Sequence, residues 1–170
     1  MIPPNHYKMQ HTLSNQKRAD CMLFLPEPTG NIVIDAKFPL ENYQRMVQLE
    51  VTSVERKAHH MQFKQDIQKH MKDIAEKYII PEETCDGAIL FIPAESIFAE
   101  IHANYPELIA LSQKLKVWLV SPSTLMAVLT TAKAVLKDDA TRKQVHIIQQ
   151  HLHALSEDFQ RFEKRMDKLT

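Results

Sequence analysis

The apolar residues of this chain recur with three different periods, and each period predicts a different element. Between His6 and Ser14 they alternate, with Tyr7, Met9 and His11 on one face, which predicts a first strand. Asp20-Cys21-Met22-Leu23-Phe24-Leu25 reads as a second strand. Pro26-Glu27-Pro28-Thr29-Gly30 then supplies turn chemistry before a third, Asn31-Ile32-Val33-Ile34-Asp35-Ala36-Lys37, which Pro39 ends. From Leu40 to Tyr78 the spacing turns helical, with a break near Val51-Thr52. Its apolar stripe runs through Val54, Ala58, Met61, Ile67, Met71, Ile74 and Tyr78.

Gly87-Ala88-Ile89-Leu90-Phe91-Ile92 is continuously apolar, as in a strand covered on both faces. Pro93-Ala94-Glu95-Ser96 turns out of it into a helix that runs to Asn104, and a second helix spans Pro106 to Lys114. Val117-Trp118-Leu119-Val120 is a short strand. Ser121-Pro122-Ser123-Thr124 opens a helix with a hydroxyl cap, which the pattern carries to Lys137. Beyond the linker Lys137-Asp138-Asp139-Ala140-Thr141, the residues Val145, Ile148, Leu152, Leu155, Phe159, Phe162, Met166 and Leu169 alternate in steps of three and four. That is the seam of a heptad repeat, and it predicts a long helix packed along the core or along a partner helix. The order of elements predicts a mixed sheet flanked by helices, α/β or α+β, over residues 6–137, with a coiled-coil-like helix over 141–169.

Chemistry concentrates at the end of the third strand. Residues two apart on a strand share a face, so Asp35 and Lys37 project together as a carboxylate beside an ammonium. The triplet Glu55-Arg56-Lys57 has the same spacing but lies in a helix, where its ends diverge by about 200°. An antiparallel hairpin brings Asp20 toward Asp35. Two carboxylates and a lysine suit a hydrolytic site of the Mg²⁺ type, although acids and acid–lysine pairs at strand ends are often just solvated edge charges.

With 170 residues, 44% of them apolar, the chain can bury one core. Its 21 basic and 21 acidic residues cancel, so a DNA-facing surface has to come from folding and not from a basic tail. Two glycines, Gly30 and Gly87, exclude glycine-rich phosphate loops. Cys21 and Cys85 have no metal-ligand spacing and suit a reducing compartment. No run reaches membrane-span length and no signal-peptide pattern opens the chain, which predicts a cytoplasmic protein.

Three further residues stand near this picture. His70 flanks the helical stripe, as a core-edge histidine bonded to a neighbour or as a group facing the site. Lys77 can meet phosphate or complement a helix end. Glu95 can cap the helix that follows it or join the site. His59, His60, His146, His151 and His153 form no ligand motif and read as exposed.

The run Arg18-Ala19-Asp20, Leu25-Pro26, Ile34-Asp35-Ala36-Lys37-Phe38-Pro39-Leu40 and Tyr43 resembles the core signature of the RmuC family of bacterial DNA recombination proteins. The likeness continues through His70-Met71-Lys72-Asp73-Ile74, Lys77-Tyr78, Phe91-Ile92-Pro93-Ala94-Glu95 and Val120-Ser121-Pro122-Ser123-Thr124-Leu125. It reaches the Phe159–Phe162 helix faintly. The resemblance implies a restriction-endonuclease-like sheet of the PD-(D/E)xK superfamily. It makes Asp20 and Asp35 ligands of Mg²⁺ or Mn²⁺, the Ala36 carbonyl a further ligand, and Lys37 the phosphate- or water-stabilising group. It implies DNA as partner and hydrolysis of DNA recombination intermediates.

Family members carry a helix with a flanking acid upstream of this core, whereas here Met1-Ile2-Pro3-Pro4 leads directly into the first strand. The alternative expectation is therefore a catalytically inactive, truncated member. Such a protein would bind DNA or act as a scaffold, self-associating or meeting a helical partner through 145–169.

Overall fold

The computed structural model describes every residue except Leu49 and Thr170. Leu49 falls inside the helical stretch predicted from Leu40, and that position lies outside the described residues. Five strands form one sheet in chain order: β1 (Tyr7–Thr12), β2 (Arg18–Leu23), β3 (Ile32–Asp35), β4 (Ala88–Phe91) and β5 (Val117–Val120). The first three pair antiparallel, whereas β3–β4 and β4–β5 are parallel. The connections explain the change of direction. A short loop reverses the chain between β2 and β3, where Gly30 adopts φ 75° and its N–H donates to the Pro26 carbonyl. Parallel neighbours need a crossover. Here α1 (Glu41–Met46) and α2 (Ser53–Tyr78) join β3 to β4, and α3 (Glu95–Asn104) and α4 (Pro106–Leu115) join β4 to β5.

The break in the first crossover falls where the pattern put it. Thr52 caps α2 by accepting from the Glu55 N–H, while the Glu55 carboxylate returns to the Thr52 N–H. The stripe of α2 needs correcting. Phe63, Ile67, Met71, Ile74 and Tyr78 are buried, while Val54, Ala58 and Met61 are exposed. Met61 lies six residues before Ile67, which rotates it about 120° off the stripe, whereas Phe63 is one turn before it.

The residues 1–132 form one compact unit. On one face of its sheet Met22, Val33, Ala88 and Leu90 meet the α2 stripe together with Ile97, Ile101 and Leu108 from α3 and α4. On the other, Leu23, Ile34, Ile89 and Val120 are covered by Leu125, Val128 and Leu129. Those three belong to α5 (Pro122–Asp167), whose residues from Lys133 onward form the second unit. The predicted linker is part of this helix. Residues 137–141 contain no glycine or proline, Asp139 pairs with Lys143 at 3.0 Å, and the Thr141 hydroxyl donates to the Lys137 carbonyl at 2.9 Å. Nothing there stops a helix.

Phe63 is fully buried and touches the rings of Phe38, Tyr43 and Tyr105. Phe63→Ala is expected to lower unfolding stability by about 3–5 kcal/mol, read by denaturant titration, because the vacated volume cannot be refilled.

Candidate functional site

The β2–β3 register builds the site. Cys21 lies across from Ile34 and Met22 from Val33, so continuing the register sets Asp20 opposite Asp35. Both project to the face that α2 covers, and there His70 reaches the strand end. Asp35 is buried, with 3% of its surface exposed, and its Oδ1 accepts from the Lys37 main-chain N–H at 3.0 Å and from His70 Nε2 at 3.2 Å. Its Oδ2 has no hydrogen bond among the described residues and keeps contact with solvent. Asp20 Oδ2 accepts the Ala36 N–H at 2.9 Å, and Oδ1 faces Gln10 Nε2 at 3.4 Å and Lys37 Nζ at 3.9 Å. The Lys37 side chain is otherwise open to solvent, at 74% exposure.

The electrostatics follow from this packing. Burial pushes the His70 imidazole down, but the hydrogen bond to Asp35 and the charge of that carboxylate outweigh it, with help from the Lys37 main chain and Asp73. The net pKa of His70 stands above the ordinary imidazole value. Burial raises the Tyr78 hydroxyl, and the charges of Asp35 and then Asp20 raise it further. That hydroxyl donates to the Arg18 carbonyl at 3.1 Å.

Asp20, Asp35, Ala36, Lys37 and His70 are thus brought together, with His70 at the edge of the core and bonded to Asp35. Glu95 is not brought to them. Its Oε1 accepts the Ser123 N–H at 2.7 Å and the Ser123 hydroxyl, so it ties the start of α3 to the start of α5. Ser123 holds its carboxyl below the usual range. Lys77 lies two turns along α2 from His70, and its carbonyl accepts Asn15 Nδ2 at 2.8 Å. Gln10 and Tyr78 are neighbours of the acids that the spacing did not single out. Gln10 arrives through a positive φ of 52° inside β1, which no local signal announces, whereas Tyr78 was visible as the last residue of the stripe. A polar cleft lined by Glu27, Asn31, Glu83 and Asp86 opens at the other end of β3, away from the carboxylates.

Among the described residues no three His, Cys, Asp or Glu side chains cluster as a metal cage. The donors at the strand end are two facing carboxylates and the Ala36 main chain. Such a set fits a hard divalent cation, because Mg²⁺ is usually held by one or two carboxylates and completes its shell with water and substrate phosphate.

These features define an α+β protein with an acid–lysine centre at the carboxyl end of a mixed sheet. The chain belongs to the RmuC family, whose profile matches residues 1–170. It is 30% identical over 172 residues to a DNA recombination protein RmuC homolog of Chlamydia muridarum, covering 94% of this chain and 38% of that one. The DNA recombination protein RmuC of Escherichia coli K12 is 30% identical over 132 residues, covering 74% of this chain and 27% of the relative. A homolog from Xylella fastidiosa Temecula1 is 26% identical over 137 residues, 79% of this chain and 30% of that protein. The chain therefore spans about a third of the length of the relatives it matches. No solved structure matches it. No helix among the described residues is long and apolar enough to cross a membrane.

The folded protein holds the His70 proton more tightly than the unfolded chain does, so the His70–Asp35 pair stabilises fully below the ordinary imidazole pKa. That contribution falls away as pH rises through the raised folded value. In chelator, wild type is expected to exceed His70→Gln in denaturant stability by more at pH 6 than at pH 8. An equal margin at both values removes the charged pair.

Proposed function

We propose that this chain carries the phosphodiester-hydrolysing centre of a DNA recombination protein, a divalent-metal-dependent nuclease site of the PD-(D/E)xK type. The observation that supports it most is the pair of facing carboxylates, Asp20 and Asp35, with Lys37 Nζ 3.9 Å from Asp20. Family membership and the names of the relatives support DNA as the substrate class. Asp20, Asp35 and the Ala36 carbonyl would hold Mg²⁺ or Mn²⁺. When bound, the cation supplies Lewis acidity toward a phosphate oxygen.

The chain's own groups do the rest. His70 and the Lys37 N–H take Oδ1 of Asp35, which orients the carboxylate and leaves Oδ2 without a hydrogen bond among the described residues. The Ala36 N–H fixes Asp20 in the same way. The exposed Lys37 ammonium stands beside Asp20 and can follow the negative charge that grows on the phosphate during in-line attack, where a preoriented charge contributes most.

The exposed seam of α5 supports a second reading, in which the family core is catalytically silent and the chain acts as a DNA-binding or helix-mediated scaffold.

Calorimetry with Mn²⁺ and Mg²⁺ on wild type beside Asp35→Asn tests the first reading. Saturable binding in wild type that the variant loses is expected. Lys37→Ala should retain that binding and lower the rate of DNA cleavage by about 10²-fold or more. A protein that binds neither cation, or an alanine variant that cuts as fast as wild type, sinks the nuclease assignment. For the second reading, replacing Leu152 and Phe159 with Glu should abolish any assembly seen by light scattering. An unchanged mass rejects it.

A further inference from the structure

The helix from Lys133 to Asp167 keeps its heptad seam open. From Val145 to Met166 the seam side chains leave 47–66% of their surface exposed. An apolar stripe of this length on a polar helix marks an interface, and the flanking charges say with what. With Val145, Leu152 and Phe159 at a and Ile148, Leu155 and Phe162 at d, the e positions hold Arg142, Gln149, Ser156 and Glu163. The g positions hold Gln144, His151, Asp158 and Arg165.

A parallel pair of these helices faces each g with the e of the next heptad, which sets Asp158 against Glu163 of the second copy on both sides. Antiparallel packing faces e with e and g with g. One antiparallel register stacks Leu152 on Leu155, Ile148 on Phe159 and Val145 on Phe162, each contact occurring twice. In that register Arg142 meets Glu163 twice, His151 meets Asp158 twice, Gln149 meets Ser156 and Gln144 meets Arg165, with no like-charged pair. Sliding one copy by a heptad, to stack Leu155 on Phe159, brings Asp158 against itself. Sliding by one more leaves Val145 and Ile148 uncovered. Among the described residues Arg142 and Glu163 form no ion pair, and Asp158 is met by Arg161 of its own helix at 3.4 Å.

We propose that the 142–166 face of α5 is a homodimer interface, two copies packing antiparallel about a two-fold axis between the Leu152 and Leu155 layers. Such an interface is self-complementary, as a closed dimer requires. The inference rests on the assembly reading above and adds to it the partner, the direction and the register.

Sedimentation velocity of the full chain over a concentration series tests it, with helicity checked by circular dichroism. Wild type should dimerise. Glu163→Arg and Arg142→Glu should each weaken the dimer about fivefold, since two attractive contacts become repulsive, and the double exchange should restore it. A wild-type chain that stays monomeric overturns both the dimer and the self-assembly behind it. A dimer that Glu163→Arg tightens is parallel, because that change relieves the clash with Asp158. A dimer indifferent to the single changes, or unrescued by the double, has another register. Either result overturns the antiparallel arrangement and leaves assembly standing.

Discussion

Burial of the Asp35 carboxylate is the constraint around which the carboxyl end of the sheet is arranged. An isolated ion at 3% exposure would carry a penalty of several kcal/mol, and two donors converge on it here. The Lys37 N–H comes from the strand's own exit, and the His70 imidazole from a helix 35 residues later. The same logic holds across the strand pair, where the Ala36 N–H and the Lys37 ammonium answer Asp20. The amides, the imidazole and the lysine supply the donors that these two facing acids accept from. The strand end is thereby prepared with two oriented carboxylates.

That preparation depends on β3 having an antiparallel neighbour on one side and a parallel one on the other. β2 supplies the opposing acid in register, and β4 buries the other flank of Asp35, which pairs with Leu90. The α2 stripe then closes the face. Phe63, Ile67, Met71 and Ile74 anchor the helix, and His70 emerges from its edge at the height of the strand end. Packing therefore positions chemistry here: the register of a buried helix decides which imidazole meets which carboxylate.

The second unit is built on the opposite economy. The helix beyond Lys133 has no buried heptad seam, and its order within the chain comes from local hydrogen bonds and i,i+4 pairs such as Asp139–Lys143 and His153–Glu157. Most helix stability in proteins comes from packing an apolar face, so this one is suited to being completed from outside the chain.

Much of this was legible in the sequence, because the readable parts are local. Alternation, continuous apolar runs and heptad steps report which faces are covered. They placed the five strands, the hairpin, the break before α2 and the seam of α5. Asp20, Asp35 and Lys37 could be grouped because hairpin geometry ties positions close in sequence. The misses share one cause. Val54, Ala58 and Met61 lie off the buried stripe, and 137–141 is helix, because apolarity and acidity alone do not carry the phase and packing that decide them. The tie of Glu95 to Ser123, the choice of Asp35 as the partner of His70, and the arrival of Gln10 at Asp20 are long-range contacts. The chain by itself determined the elements, the acid–lysine strand end and the family. Tertiary structure alone decided which side chains meet there, because contacts between distant segments depend on how the layers pack and not on any local period.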